Sequence, residues 1–265
     1  MLYGAITGDI VGSIYEFHNI KTKDFPLFSP HCHITDDSCM TIALASAIDE
    51  WKNVGGDLSE LATKHMREIG NKFPRMGYGG QFRRWLSDQD KGPYNSWGNG
   101  AAMRVSAAGW YGKDLTEVKR LSYMVTSVTH DHIEGIKGAE ATAVAIWAAR
   151  NGYSKEEIAK YIRDNYYDSC DCVEDLQADY DWDISCQGTV PPALQCFFES
   201  DSFEDAIRNA ISIGGDSDTI GAITGAVAEA FYGIPENIKE QAKTYIPDEL
   251  LQIVMNLEEK QSGLK

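Results

Sequence analysis

Two acidic triplets stand far apart in the chain. Thr35-Asp36-Asp37 is followed by Ser38, and Gly214-Gly215 leads into Asp216-Ser217-Asp218-Thr219. Each precedes an apolar run of helical periodicity, and each joins two carboxylates to a threonine hydroxyl. Brought together, they would place four carboxylates and two hydroxyls at one point. Like charges that close cannot all stay ionised without a counter-charge. An all-oxygen donor set suits hard divalent cations, Mg²⁺ or Mn²⁺, and this one has room for two. The competing reading is helix capping, because Asp and Ser are good N-cap residues and first-turn acids suit the helix dipole. Capping accounts for one Asp of each triplet, and two such triplets in one chain tip the reading toward metal. In the second, Gly214-Gly215 permits a tight turn, and the i, i+2 spacing can aim both carboxylates at one ion. Gly221, Ala222, Gly225 and Ala226 follow it. A backbone that closely packed raises the cost of unpaired acids nearby.

Other candidates are weaker alone. Glu16 follows Gly12-Ser13-Ile14-Tyr15. It reads either as an exposed helical glutamate, the usual case, or as a partly buried functional carboxylate beside Tyr15 and Phe17. Ser96-Trp97-Gly98-Asn99-Gly100 precedes Ala101-Ala102-Met103-Arg104. Glycines before a helix expose N–H groups that can cradle phosphate, yet no Lys-Ser or Lys-Thr follows, so this is no P-loop. Thr129-His130-Asp131-His132 and His31-Cys32-His33 lack cysteines at zinc spacing. Cys170-Asp171-Cys172 lacks a partner pair. The acidic stretch 168–183 reads as a solvated loop, or more sharply as an attractor for a cationic group on a substrate.

The elements that must position these residues are helical. Residues 2–17 place Ala5, Ile6, Ile10, Ile14 and Tyr15 near one face, with Gly4, Gly8 and Gly12 at four-residue steps. Such glycines cost helix propensity but admit a neighbouring helix or a ligand. Helical patterns also cover 38–51, 57–71, 101–111, 115–127, 133–151, 154–166, 191–199, 202–213, 218–232 and 236–258, the last with a break at Pro247. No alternating run bounded by turn signals predicts a strand. The expectation is a compact all-α, multi-helix domain spanning residues 1–265. Functional loops are expected at 74–100, 128–132 and 168–190.

Composition narrows the partners. The chain has 265 residues, 43% of them hydrophobic, enough for a real core. Its formal net charge of −16 repels nucleic-acid backbones and anionic membranes. An anionic substrate would need metal ions or helix N-termini to meet it. The start, MLYGAITGDI, has no basic region ahead of its apolar residues and does not read as a secretory signal. No apolar run approaches the roughly 20 residues of a membrane span. Six cysteines without a signal are expected as reduced thiols in a cytoplasmic protein.

Taken in order, Gly8-Asp9 with Glu16, Thr35-Asp36-Asp37, Gly98-Asn99-Gly100 through Met103-Arg104, Thr129-His130, and Gly214-Gly215-Asp216 through Asp218-Thr219 resemble the ADP-ribosylglycohydrolases. The match runs from Gly4 to about Gly233. The resemblance implies an all-α fold with a binuclear Mg²⁺ or Mn²⁺ centre, held by Thr35, Asp36, Asp37, Asp216, Asp218 and Thr219. It implies a catalytic or substrate-gating role for Glu16. Asn95, Ser96, Trp97, Gly98, Asn99 and Gly100 fall on a phosphate- and ribose-binding loop, with Trp97 where a Tyr or a small residue is expected. His130 falls on a substrate-contacting histidine, and Ile184 on an adenine-side position before Val190-Pro191. The implied reaction cleaves the C1″ bond between ADP-ribose and an acceptor, on a protein or a small molecule, by a monomer. Arginine, serine, a nucleobase and O-acetyl-ADP-ribose all stay open as acceptors. The competing readings are a metal-dependent phosphohydrolase cutting the diphosphate and an inactive ADP-ribose-binding protein; the presence of Glu16 and all six proposed metal-binding residues counts against the second.

Overall fold

The computed structural model describes residues 1–262. Among them lie fifteen α-helices and no strand. The site depends on the first helix, α1 (Tyr3–Gly12), and on α13 (Ser217–Tyr232). Every residue of α1 is buried, as are Ser217 through Glu229 of α13. The glycines of α1 explain how two such helices meet. A Cβ on Gly4 would lie 2.2 Å from the carbonyl oxygen of Gly225, and one on Gly8 only 1.9 Å from that of Gly221. A Cβ on Gly12 would lie 2.4 Å from the Cα of Asp218. The helices therefore run antiparallel, backbone on backbone. This register carries the C-terminal end of α1 to the N-terminal end of α13, where the second acidic triplet sits. Glu229 closes the other end of the pair, accepting from the Gly4 N–H at 2.8 Å and pairing with the N-terminal ammonium at 3.0 Å.

The second acidic helix, α2 (Asp36–Val54), begins two residues earlier than its periodicity predicts, so Asp36 and Asp37 form its first turn. Thr35 is its N-cap, its hydroxyl accepting from the Asp37 N–H at 3.3 Å. Next come α3 (Leu58–Lys72) and α4 (Gly80–Ser87). The latter lies within the stretch expected as loop. Its buried Phe82, Trp85 and Leu86 fall at helical spacing, but eight residues make too short a period to stand out. The helix expected over 101–111 is two pieces, α5 (Gly100–Met103) and α6 (Ser106–Tyr111), with Arg104 at the break. Then come α7 (Leu115–Thr126), α8 (Ile133–Arg150) and α9 (Lys155–Asn165). A short α10 (Val173–Asp179) interrupts the acidic loop, ahead of α11 (Cys186–Phe198) and α12 (Phe203–Ser212). The chain closes with α14 (Glu236–Lys243) and α15 (Asp248–Ser262), the break falling at Pro247 as expected.

The start of α11 differs from its expected position for a clear reason. Its prolines, Pro191 and Pro192, lie inside it, and the N-cap is Ser185, whose hydroxyl accepts from the Gly188 N–H at 3.1 Å. Proline removes an i→i−4 donor, which would orphan the Gly188 carbonyl. The Tyr180 hydroxyl donates to that carbonyl at 3.1 Å. A single apolar core of buried side chains runs through these helices, from Leu2 to Leu257. Full burial of each large aliphatic side chain contributes roughly 1.5–3 kcal/mol.

Candidate active site

The acid cluster is assembled by three chain segments. Asp9, in the last turn of α1, is fully buried and accepts from the Thr35 N–H at 3.0 Å, the Thr35 hydroxyl at 2.8 Å and the Ser38 N–H at 3.0 Å. The Ser38 hydroxyl donates to it as well. One buried carboxylate thus secures the cap of α2 and aims Asp36 and Asp37. The second triplet turns on Gly214 and Gly215, both at φ near +70° (71° and 72°), where a side chain would be strained.

Glu16 does not end the first helix as its sequence context predicts. The helix stops at Gly12, where the close approach to Asp218 begins, and Glu16 lies in the turn beyond. That turn is fastened to the second triplet by Asn19, a residue with no sequence signal. Its amide donates to the carbonyls of Tyr15 at 2.7 Å, Glu16 at 3.1 Å and Gly215 at 2.8 Å, and it accepts from the Gly215 N–H at 2.9 Å. As a result Glu16, Asp216 and Asp218 each bring one carboxylate oxygen within 4.8 Å of the others.

The electrostatics follow from burial without a counter-charge. Burial, then the nearby Asp218 and Asp9, pushes Asp36 up to about 8. Burial and Asp218 hold Asp37 well above the usual carboxylate range. Burial raises Asp216 to about 6, against hydrogen bonds from Asp218 and Asn99 that lower it, while Asp218 is held well above its ordinary value by burial and Asp216. Glu16 rises to about 7 through burial, Asp218 and Asp9. Asp37 Oδ1 is buried with no hydrogen-bond partner. Its Oδ2 lies 3.3 Å from the Thr35 hydroxyl and 3.4 Å from that of Thr219. An orphaned oxygen among crowded, buried carboxylates and hydroxyls is a donor set that could hold a hard cation.

The cluster lines a 440 Å³ cavity. Glu16, Asp36, Asp37, Asp216, Asp218 and Thr219 line it; Thr35 stands behind them, engaged with Asp9. Asn95, Ser96, Trp97, Gly98, Asn99, Gly100, His130 and Ile184 line it too. A short bridge between Gly98 and Ser185 joins the two loops, with the Asn99 N–H donating to Ile184 O at 2.8 Å and the Cys186 N–H to Trp97 O at 2.9 Å. This pairing uses part of the expected phosphate cradle. The Asn99 N–H is taken, and the Gly98 N–H donates to the Ser96 hydroxyl at 3.2 Å. The N–H groups of Ser96, Trp97 and Gly100 have no partner among the described residues. The Asn99 side chain supports the acids instead, donating to Asp216 at 2.7 Å and Thr189 at 3.2 Å.

None of the seven acids of 168–183 lines the cavity, whereas Trp182 does. Trp182 stacks on exposed Phe17, ring centroids 5.6 Å apart. A wider hollow of 910 Å³ beside α3 is lined by Arg67, but that guanidinium is bound to the carbonyls of Trp85, Asp88, Gln89 and Lys91. Among the described residues, no comparable acid group lines it. Sequence reasoning assigned no role to Asp9, Asn19, Arg104 or Trp182. Asp9 and Arg104 stand in the motifs that carry the family resemblance, whereas Asn19 and Trp182 give no local signal.

The model of the family described as ADP-ribosylglycohydrolase matches residues 1–264. The chain belongs to that family. Family membership makes it a glycohydrolase enzyme. It is 24% identical to the ADP-ribosylhydrolase ARH3 of Homo sapiens, over 94% of this chain and 90% of that protein. It is 26% identical to the ADP-ribosylarginine hydrolase Tri1 of Pseudomonas putida, over 88% of this chain and 70% of that one. Its fold is similar to a solved chain of an ADP-ribosylglycohydrolase-related protein complex, with TM-score 0.69 and 22% identity over 96% and 94% of the two chains. No helix among the described residues is long and apolar enough to cross a membrane.

Proposed function

We propose that this glycohydrolase cleaves the C1″ bond between ADP-ribose and an acceptor on a protein or small molecule, using two Mg²⁺ or Mn²⁺ ions. The observation that carries the reading is that residues of both acidic triplets and Glu16 line one cavity together with a loop that offers N–H donors. Asp36, Asp37, Asp216, Asp218 and Thr219 would hold the ions, with Thr35 completing or backing the set. When bound, such ions supply Lewis-acid stabilisation of ribose hydroxyls and acidify a water.

The chain's own groups do the rest. The six carboxylates around the centre, Asp9 included, would stabilise positive charge developing at C1″ in an oxocarbenium-like transition state. Glu16, raised to about 7, can hold or release a proton near neutral pH. That suits a group that activates water or protonates the departing acceptor. The loop from Asn95 to Gly100 would orient the diphosphate through the N–H groups of Ser96, Trp97 and Gly100. His130 would contribute a further contact, and Ile184 would flank the adenine.

The acids of 168–183 lie off the cavity wall, so they give no support to selection of a cationic acceptor. Trp182 and Phe17 border the Glu16 side instead and would meet the acceptor with apolar surface. We take the chain as one domain, and its free cysteines as suited to the reducing cytoplasm. The test is turnover of arginine-linked and serine-linked ADP-ribosyl peptides after metal removal. Restoration by Mg²⁺ or Mn²⁺ in the native chain, and not in Asp218→Asn, supports the proposal. Full turnover in excess chelator contradicts it.

A further inference from the structure

Arg104 is a buried cation with no carboxylate to pair with. It is 1% exposed and caps the C-terminal end of α5. Its guanidinium lies over the Phe82 ring, 5.2 Å from the centroid. Nη2 sits 2.6 Å from the Thr129 hydroxyl oxygen and 3.0 Å from His130 Nδ1. A guanidinium can only donate, so Nδ1 must accept. A proton on Nδ1 would face a guanidinium N–H, and protons on both ring nitrogens would put two positive charges together in a dry wall. The ring proton therefore belongs on Nε2.

That nitrogen has no partner among the described residues. It stands over the turn between the loop and α5: a Cβ on Gly100 would lie 3.4 Å from it, and one on Gly98 3.6 Å. The ring lines the ligand cavity and is 5% exposed. From these contacts we infer that Arg104 is a positioning residue, holding His130 as a neutral ring whose Nε2–H is a fixed donor to an acceptor oxygen of the ligand. The inference deepens the ADP-ribose reading and rests on it for the identity of that oxygen, on the diphosphate or a ribose.

The surroundings agree. Tyr94 packs against the ring at 5.9 Å, and the Asp131 carboxylate accepts the Asn95 N–H at 2.6 Å. The thiol of Cys186 is pushed up to about 12 by burial and carries no charge. No carboxylate is hydrogen-bonded to His130, and burial together with Arg104 drives its proton affinity well below the ordinary histidine range. Burial works against the guanidinium charge, and Tyr94, then Asp36, favour it without pairing with it. A neutral donor backed by a cation attracts an anionic oxygen and does not titrate in the working pH range.

The test is long-range ¹H–¹⁵N correlation of histidine-labelled protein from pH 5 to 8, with His130 assigned through His130→Gln. Expected is a single protonated nitrogen, Nε2, and no midpoint in that range. A proton on Nδ1, or a midpoint near 6.5, overturns the inference. Arg104→Met and Arg104→Lys give the second arm. In Arg104→Met the ring should begin to titrate and ADP-ribose should bind about tenfold more weakly, with Arg104→Lys recovering part of both. Weaker binding with an unchanged ring would overturn the positioning role. If the native ring behaves as stated yet ADP-ribose does not bind, the tautomer assignment stands and the functional reading fails.

Discussion

Replacing Gly8 by Ala should loosen the joint on which the active site is built. The added methyl would sit 1.9 Å from the carbonyl oxygen of Gly221 and 2.2 Å from its carbonyl carbon. That is about 1.5 Å inside the 3.4 Å at which ordinary contact begins. Both obstacles are backbone, so no rotamer change relieves them, and α1 and α13 must part. Two effects compete. Ala improves helix propensity by about 1 kcal/mol. Overpacking costs roughly 1–3 kcal/mol, and more where backbone must shift. The clash should win by about 2 kcal/mol or more, which lowers the melting temperature by roughly 4–8 °C in a domain of this size. The same motion separates Asp9 and Glu16 from Asp218, and a displacement of about 1 Å can cost 100-fold in rate. Gly70→Ala is the control. It gains the same propensity but meets only the flexible end of Leu86 at 2.7 Å, so its melting point should stay within a few degrees of native. Calorimetric melts and turnover well below the transition measure both effects. A Gly8→Ala protein that melts like Gly70→Ala and turns over normally would refute the backbone-contact reasoning.

Three further outcomes are expected. In metal-free protein, Asp36 and Asp216 have folded pKa values of about 8 and 6 against 3.8 unfolded, so the native state binds more protons between those limits. Stability should therefore fall as pH rises from about 4 to 8, and saturating Mg²⁺ should reverse the loss; melting points that rise with pH in chelator would contradict this. Glu16→Gln should lower turnover by about 100-fold while ADP-ribose binding survives, measured by steady-state kinetics and calorimetry; a native rate would leave Glu16 without a catalytic role. Asn19→Ala should reduce kcat by at least about tenfold with little change in melting point, because it frees the Glu16 turn from Gly215 rather than opening the core. A large loss of stability with normal kcat would make Asn19 merely structural.

Helix content and the acidic triplets were legible because each rests on local rules. Apolar periodicity marks α2, α8 and α13, although the cap of α2 falls on Thr35 and not on an Asp as the capping reading had it. The four-residue glycine steps of α1 announced a close approach, though not that the neighbour was α13. What the sequence hid depends on tertiary partners. The Pro191 and Pro192 pair looks like a helix start until Tyr180 supplies the donor for Gly188. Short α4 and α10 fall below the length at which period is readable. Glu16 looked like the end of a helix because nothing local says that Gly12 must stop against Asp218. The acids of 168–183 read as a solvated loop, with a substrate attractor as the sharper alternative; α10 interrupts the stretch, and Trp182 and Ile184 line the cavity while the acids do not. The chemistry of Arg104 and His130 is a matter of which nitrogen meets which, and no spacing rule encodes it.

The central claim is that bonds break at C1″, in a site assembled from both acidic triplets and Glu16. Mass analysis of the products released from an ADP-ribosylated peptide, with Mg²⁺ and in chelator, tests it most directly. Intact ADP-ribose and unmodified peptide, formed only with the metal, are the products expected. Release of AMP, leaving the peptide with a phosphoribosyl group, would place the cut in the diphosphate and contradict the claim.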